Sequence, residues 1–152
     1  MTEDRVCALS AAGSGQCSER GDAPEPLAGG LAFATISAHA KRGCGVTKDG
    51  RVACWTTSAH LDLGDGSPNA ESANMARLVD GVSGTASVTL GLSHNCAQLK
   101  DGTASCWGIN DRGQLGDGSP GDQAGAAPVV DLSAATPATR AVPAGRPTGA
   151  AN

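Results

Sequence analysis

Short runs of alternating apolar and polar residues recur along the chain: FATIS at 33–37, GVT at 45–47, RVACW at 51–55 and ASVTL at 86–90. Clusters of Gly, Asp, Asn, Ser and Pro separate them. A period of two in runs this short predicts strands joined by tight turns, not helices. One segment competes. NAESANMARLV at 69–79 could form a turn or two of helix, but its counterpart GDQAGAAPVV at 121–130 holds Gly125 and Pro128 and could not. The pattern predicts an all-β chain.

The strand pattern repeats with a fixed long period, which dictates architecture. Cys44 maps to Cys96, Asp49-Gly50 to Asp101-Gly102, Cys54-Trp55 to Cys106-Trp107, and LGDGSP at 63–68 to LGDGSP at 115–120, all by 52 residues. A shorter first copy, CALSAAGSGQC from Cys7 to Cys17, precedes the second by 37 and lacks both the Trp and the LGDGSP segment. This divides the chain into a degenerate unit at 1–29, full units at 30–81 and 82–133, and a tail at 134–152. The tail is rich in Ala, Pro and Gly without periodicity, and reads as disordered or linker.

Each unit has two cysteines enclosing nine residues. If Lys48-Asp49-Gly50 is a three-residue hairpin loop with Gly50 left-handed, Thr47 closes it opposite Arg51. Counting outward then places Cys44 opposite Cys54 as a non-hydrogen-bonded pair, where Cα atoms lie roughly 4.5 Å apart and a disulfide can span them. The same count pairs Cys96 with Cys106 around Lys100-Asp101-Gly102, and Cys7 with Cys17 around Ala11-Ala12-Gly13. Free buried thiols and zinc are the alternatives. Zinc is disfavoured because no two cysteines form a Cys-x-x-Cys knuckle, although His39, His60 and His94 could assist. Three bridges imply an oxidising location, extracellular, cell-surface or periplasmic. MTEDRVCALS lacks the basic start and apolar segment of a secretory signal, so any export signal was trimmed or lies on a longer parent.

Composition explains why staples are needed. The chain has 11 Leu, 2 Ile, 9 Val and 1 Phe, roughly 15% of 152 residues, and 22 Gly. That is below the ~20% at which disorder becomes an option, and little large apolar area is available to offset the ordering cost of about 1–2 kcal/mol per residue. A net charge of −4 removes the usual electrostatic reason to bind phosphate backbones or anionic lipid, so nucleic acid is not an expected partner. No run reaches the ~20 apolar residues a membrane helix requires.

The phrase SHNCAQLKDGTASCWGINDRGQLGDGSP (93–120), followed by PVVDL, closely resembles one unit of the regulator of chromosome condensation repeat in its cysteine-bearing bacterial form. Asp101-Gly102, Cys106-Trp107-Gly108, Asn110 and Gly113 to Gly118 occur in the order that the resemblance requires. The middle unit departs from it, with Thr56-Thr57-Ser58 in place of Gly-x-Asn and Asp62 where Gln114 stands. The resemblance implies an all-β fold of β-propeller blades, one four-stranded blade per unit. About two and a half blades are present, so the ring is incomplete or completed by oligomerisation. A fragment of a longer protein, self-association through the 1–29 unit and the Leu132 end, and a decayed gene product all fit. Trp55 and Trp107 are expected to pack between adjacent blades instead of stacking on a ligand.

No cofactor or metal is expected, and no catalytic residue. GLSHN at 91–95 imitates a nucleophile elbow, but Asn95 replaces the final Gly and no strand-to-helix turn is predicted. DLGDGSPNAE at 62–71 lacks the order of a calcium loop and reads as a solvated turn. The expected function is a non-enzymatic module that binds an unidentified protein or glycan through loops, with Asp111, Arg112 and Gln114 as the candidate partner-binding residues. Guanine-nucleotide exchange on a small GTPase is an alternative that the family name suggests. A fragment of a larger secreted hydrolase or adhesin is a second.

Overall fold

The computed structural model describes residues 5–19, 22–39, 41–56 and 75–130. Among them the chain forms eleven strands and no helix. The first sheet has the order β1-β2-β3, from β1 (Arg5–Leu9), β2 (Gly15–Glu19) and β3 (Glu25–Pro26). The second runs β4 (Phe33–His39), β5 (Arg42–Thr47), β6 (Val52–Thr56) and β7 (Arg77–Leu78) in sequential order. The third repeats it with β8 (Thr85–Leu90), β9 (His94–Leu99), β10 (Ala104–Gly108) and β11 (Gln123–Pro128). All pairings are antiparallel. These are three propeller blades in an open arc. The alternative helix at 69–79 falls mainly outside the described residues, and its last part is extended as β7. LGDGSP at 63–68 and the tail at 134–152 also lie outside them.

The hairpins form as the turn chemistry dictates. Thr47 N donates to Arg51 O at 2.8 Å and Gly50 N to Thr47 O at 2.9 Å, with Gly50 at φ 81°. A side chain would be strained at that φ, which is why the turn ends in Gly. Gly102 and Gly13 occupy the same position at φ 90° and 88°. The register then places Cys7 opposite Cys17, Cys44 opposite Cys54 and Cys96 opposite Cys106. All three pairs are disulfides, with Cα atoms 4.1, 4.0 and 4.1 Å apart, slightly closer than an unbridged pair. Each short closed loop contributes about 2–3 kcal/mol by restricting the unfolded chain.

Two apolar clusters join the blades. The first contains Cys17, Phe33, Ala53, Trp55 and Ala76, with Leu9, Leu27 and Leu31 against it. The second contains Cys44, Cys54, Val52, Val79, Val82, Ala97 and Trp107. Both Trp side chains are fully buried, and Trp55 meets Phe33 edge-on with ring centroids 5.7 Å apart. Trp55 therefore lies between the first and second blades, and Trp107 between the second and third. Blade entry strands are alike in another respect: β4 and β8 each carry a bulge at the corresponding place, between Phe33 and Thr35 and between Thr85 and Ser87. No helix among the described residues is long and apolar enough to cross a membrane.

Candidate functional site: a groove on the loop face

The strands of the third blade end on a face built from two loops. One is the tight β8–β9 connection at Gly91, Leu92 and Ser93; the other is the long β10–β11 connection from 109 to 122. Gly91 N donates to His94 O at 2.8 Å, which closes the first loop. Ile109 N donates to Ser93 O at 2.9 Å, which ties the second loop to the first.

The second blade holds the same loop from the side. Arg42 is 5% exposed, and its guanidinium donates to Gly91 O and, at 2.6 Å, to Leu92 O. Burial lowers its pKa from the usual arginine value, because carbonyl dipoles replace only part of the lost hydration. The cation is thus committed to fixing a neighbouring backbone.

Asn110 organises the long loop. It is 1% exposed; its backbone N–H donates to Asp122 Oδ1 at 2.7 Å and its Oδ1 accepts from Leu115 N at 3.0 Å. Its amide donates to Ser119 O at 2.8 Å, Gly121 O at 3.2 Å and Asp117 Oδ1 at 3.3 Å. Asp117 accepts in turn from Ser119 N at 3.0 Å, Ser119 Oγ at 2.8 Å and Gln123 Nε2 at 2.8 Å. Those donors hold its carboxyl below the ordinary aspartate value, the Ser119 backbone N–H being the largest cause. Leu115, 1% exposed, anchors the loop from beneath.

On this scaffold sits an open groove of about 410 Å³ lined by Leu92, Ser93, His94, Asp111, Arg112 and Gln114. The structure thus brings together the three loop residues that the sequence marks as candidates, and adds Leu92 and His94 to them. Asp111 and Gln114 are partly occupied with each other: Gln114 Nε2 donates to Asp111 Oδ1 at 3.0 Å, and Gln114 Oε1 accepts from Arg112 N at 2.9 Å. The Arg112 guanidinium, by contrast, makes no hydrogen bond or ion pair among the described residues. Leu92 is 83% exposed and Ile109 41%. The groove therefore offers a cation that no described residue engages beside an apolar side chain. Ser93 lies at the bend between two strands, a different setting from the strand-to-helix turn of a nucleophile elbow. No group of three or more metal-ligating side chains occurs among the described residues.

Residues 86–114 match the family model described as Regulator of chromosome condensation (RCC1) repeat. The chain has the fold of an open arc of β-propeller blades like those of RCC1 proteins. No curated protein sequence matches it. Among solved structures, human WBSCR16 superimposes with a TM-score of 0.66 at 21% identity, over 84% of this chain and 38% of that one. Yeast RCC1 (Prp20), solved bound to Kap60, gives 0.64 at 16% identity, over 83% and 33%. Prp20p from Saccharomyces cerevisiae, described with its binding properties to Gsp1p and histones, gives 0.67 at 14% identity, over 88% and 38%. At these identities the likeness is one of fold. The chain spans about a third to two fifths of the length of these structures.

Proposed function

We propose that the chain is a non-enzymatic, disulfide-stapled protein-interaction module whose partner binds the groove between the β8–β9 and β10–β11 loops. The observation that carries this reading is the division of labour among its polar side chains. Arg42, Asn110 and Asp117 are consumed in shaping the loops, whereas among the described residues nothing engages the Arg112 guanidinium, which lines the groove with exposed Leu92. A rigid frame that presents a cation next to an apolar anchor has the composition of a small protein-docking site. A protein fits better than a glycan, since sugar recognition commonly uses an exposed aromatic face and Trp55, Trp107 and Phe33 are all at most 2% exposed.

Three bridges in a thinly cored chain favour an extracellular, cell-surface or periplasmic location. The exchange-factor reading draws support only from Prp20p, whose structure is described with Gsp1p binding, and ranks second. Capture from an extracellular fraction tests the main reading, with Arg112→Ala on the groove and Lys100→Ala on the opposite hairpin as controls. The reading predicts a species retained by the native chain and Lys100→Ala but lost with Arg112→Ala. Equal recovery by all three removes the groove from consideration. The second reading predicts faster nucleotide release from a small GTPase on adding the chain, whereas the main reading predicts no change.

A further inference from the structure

The residues that shape the third-blade groove are not those the repeat requires. By the 52-residue shift, Leu92 stands where the second unit has Ala40, Ser93 where it has Lys41, Arg112 where it has His60 and Gln114 where it has Asp62. Gly108 stands where it has Thr56. Gly108 is at φ 109°, and a Cβ there would lie 2.6 Å from Ser93 O, so a glycine is what lets the two loops close on each other. In the second unit a side chain takes that space, and the Thr56 hydroxyl donates to Lys41 O at 3.1 Å. Both units form the same blade, so blade folding does not explain the third unit's set.

The chemistry of that set is one-sided. Among the described residues the amides of Leu92 and Ser93 donate to no backbone carbonyl, the Ser93 hydroxyl has no hydrogen-bond partner, and nothing engages the Arg112 guanidinium. The carboxylate that lines the groove, Asp111, accepts from Gln114 Nε2 at 3.0 Å, and Gln114 Oε1 accepts from Arg112 N at 2.9 Å, so this acid is committed to its own turn. Leu92 is 83% exposed, and Ile109, 41% exposed, is tied to the same loop through its bond to Ser93 O. The complement of donors and a cation next to an apolar pair is a negatively charged acceptor next to an apolar side chain. Its size is bounded too. The whole chain carries −4, which opposes polyanions, and about 410 Å³ admits a short segment but not a folded surface.

We propose that the groove takes an extended protein segment in which a single Asp or Glu lies next to a large apolar residue. The carboxylate meets the Arg112 guanidinium and the donors of Leu92 and Ser93, and the apolar side chain packs on Leu92 and Ile109. A guanidinium binds a carboxylate through two parallel bonds, which fixes the segment's direction as well as its charge. This assignment rests on the reading of the groove as the interaction site, and charge complementarity selects the occupant.

Selection of a random heptapeptide library on the immobilised full chain, followed by affinity measurements with the recovered sequences as synthetic peptides, tests the assignment. The recovered peptides are expected to share an Asp or Glu beside a Leu, Ile or Phe. Changing that acid to its amide is expected to weaken binding at least about tenfold, as for loss of a charge-assisted bond. Arg112→Ala is expected to weaken the acidic peptide equally and to have little further effect on the amide form, while Lys100→Ala changes neither. Arg112→Glu is expected to prefer the peptide with Lys in place of the acid. These variants keep the loop frame, because Arg112 is held through its backbone N–H. Peptides without an acid that still lose binding with Arg112→Ala or Leu92→Asp overturn the carboxylate and leave the groove standing. Peptides insensitive to both variants overturn the groove as well. A selection that enriches no sequence overturns the short acidic segment, and capture of a folded partner then decides the groove separately.

Discussion

Trp55 lies directly across the β5–β6 ladder from Gly43, and a Cβ at Gly43 would come within 2.3 Å of its indole. In the next blade the equivalent pair is Trp107 and Asn95. With the Asn95 amide oriented to satisfy both of its ends, its Oδ1 accepts from Trp107 Nε1 at 3.2 Å and its NH₂ donates to His94 O at 3.1 Å. Trp55 Nε1 is buried and has no hydrogen-bond partner among the described residues. One repeat position thus solves the same packing problem in two ways, by removing a side chain or by supplying an acceptor.

Gly43→Ala is therefore expected to destabilise the fold by about 1–3 kcal/mol through overpacking. The same change in a Trp55→Phe background is expected to cost less, because the smaller ring relieves the contact. Asn95→Ala removes the acceptor it offers the Trp107 N–H and its own donor to His94 O, and is expected to cost about 1–3 kcal/mol. Urea unfolding under non-reducing conditions measures all three.

Asn110→Ala removes an acceptor from Leu115 N and a donor to Ser119 O, Gly121 O and Asp117. The expected loss is about 1–3 kcal/mol per buried group left unpaired, localised to the loop. Hydrogen exchange at the Leu115 amide is expected to accelerate while amides of β9 keep their protection. Asn110→Asp preserves the Leu115 bond and is expected to protect that amide without restoring the rest of the loop.

Acid should act on the turns first. Asp117 is held low mainly by the Ser119 backbone, Asp49 mainly by the Thr47 hydroxyl and then Arg51, and Asp101 mainly by the Thr103 hydroxyl. A carboxyl whose folded pKa lies below its unfolded one contributes stability that is complete above the unfolded value, near 3.8 here, and is lost as pH falls through the folded value. Stability is thus expected to be flat from neutral pH down to about 4 and to fall below it. Asp117→Asn should make that fall shallower. Asp49 and Asp101 are exposed and Asp117 is only partly buried, so the effect is modest, and thermal unfolding at stepped pH reads it.

Local chemistry made the hairpins legible. Lys-Asp-Gly sets the turn, the turn sets the register, and cysteines ten apart can only meet across it, so Cys44 and Cys54 could be paired by counting. The 52-residue period likewise exposed the blades. Contacts that cross units were not legible. Arg42 reaches Gly91 and Leu92, 49 and 50 residues away, and its counterpart in the repeat is His94, so the period gives no hint of the reach. Asn110 reads in sequence as one more turn residue, since burial of a lone Asn leaves no periodic trace. Arg112 was marked, but that Leu92 and His94 complete its groove follows only from how two loops meet.

The staples carry the central claim, since a chain so poor in large apolar residues holds blade shape through bonds closed within each hairpin. Disulfide mapping by proteolysis and intact mass, before and after reduction with alkylation, addresses it most directly. The account predicts three bridges, Cys7–Cys17, Cys44–Cys54 and Cys96–Cys106, and no alkylation without reductant. Free thiols in the native protein, or a bridge linking cysteines of different units, would contradict it.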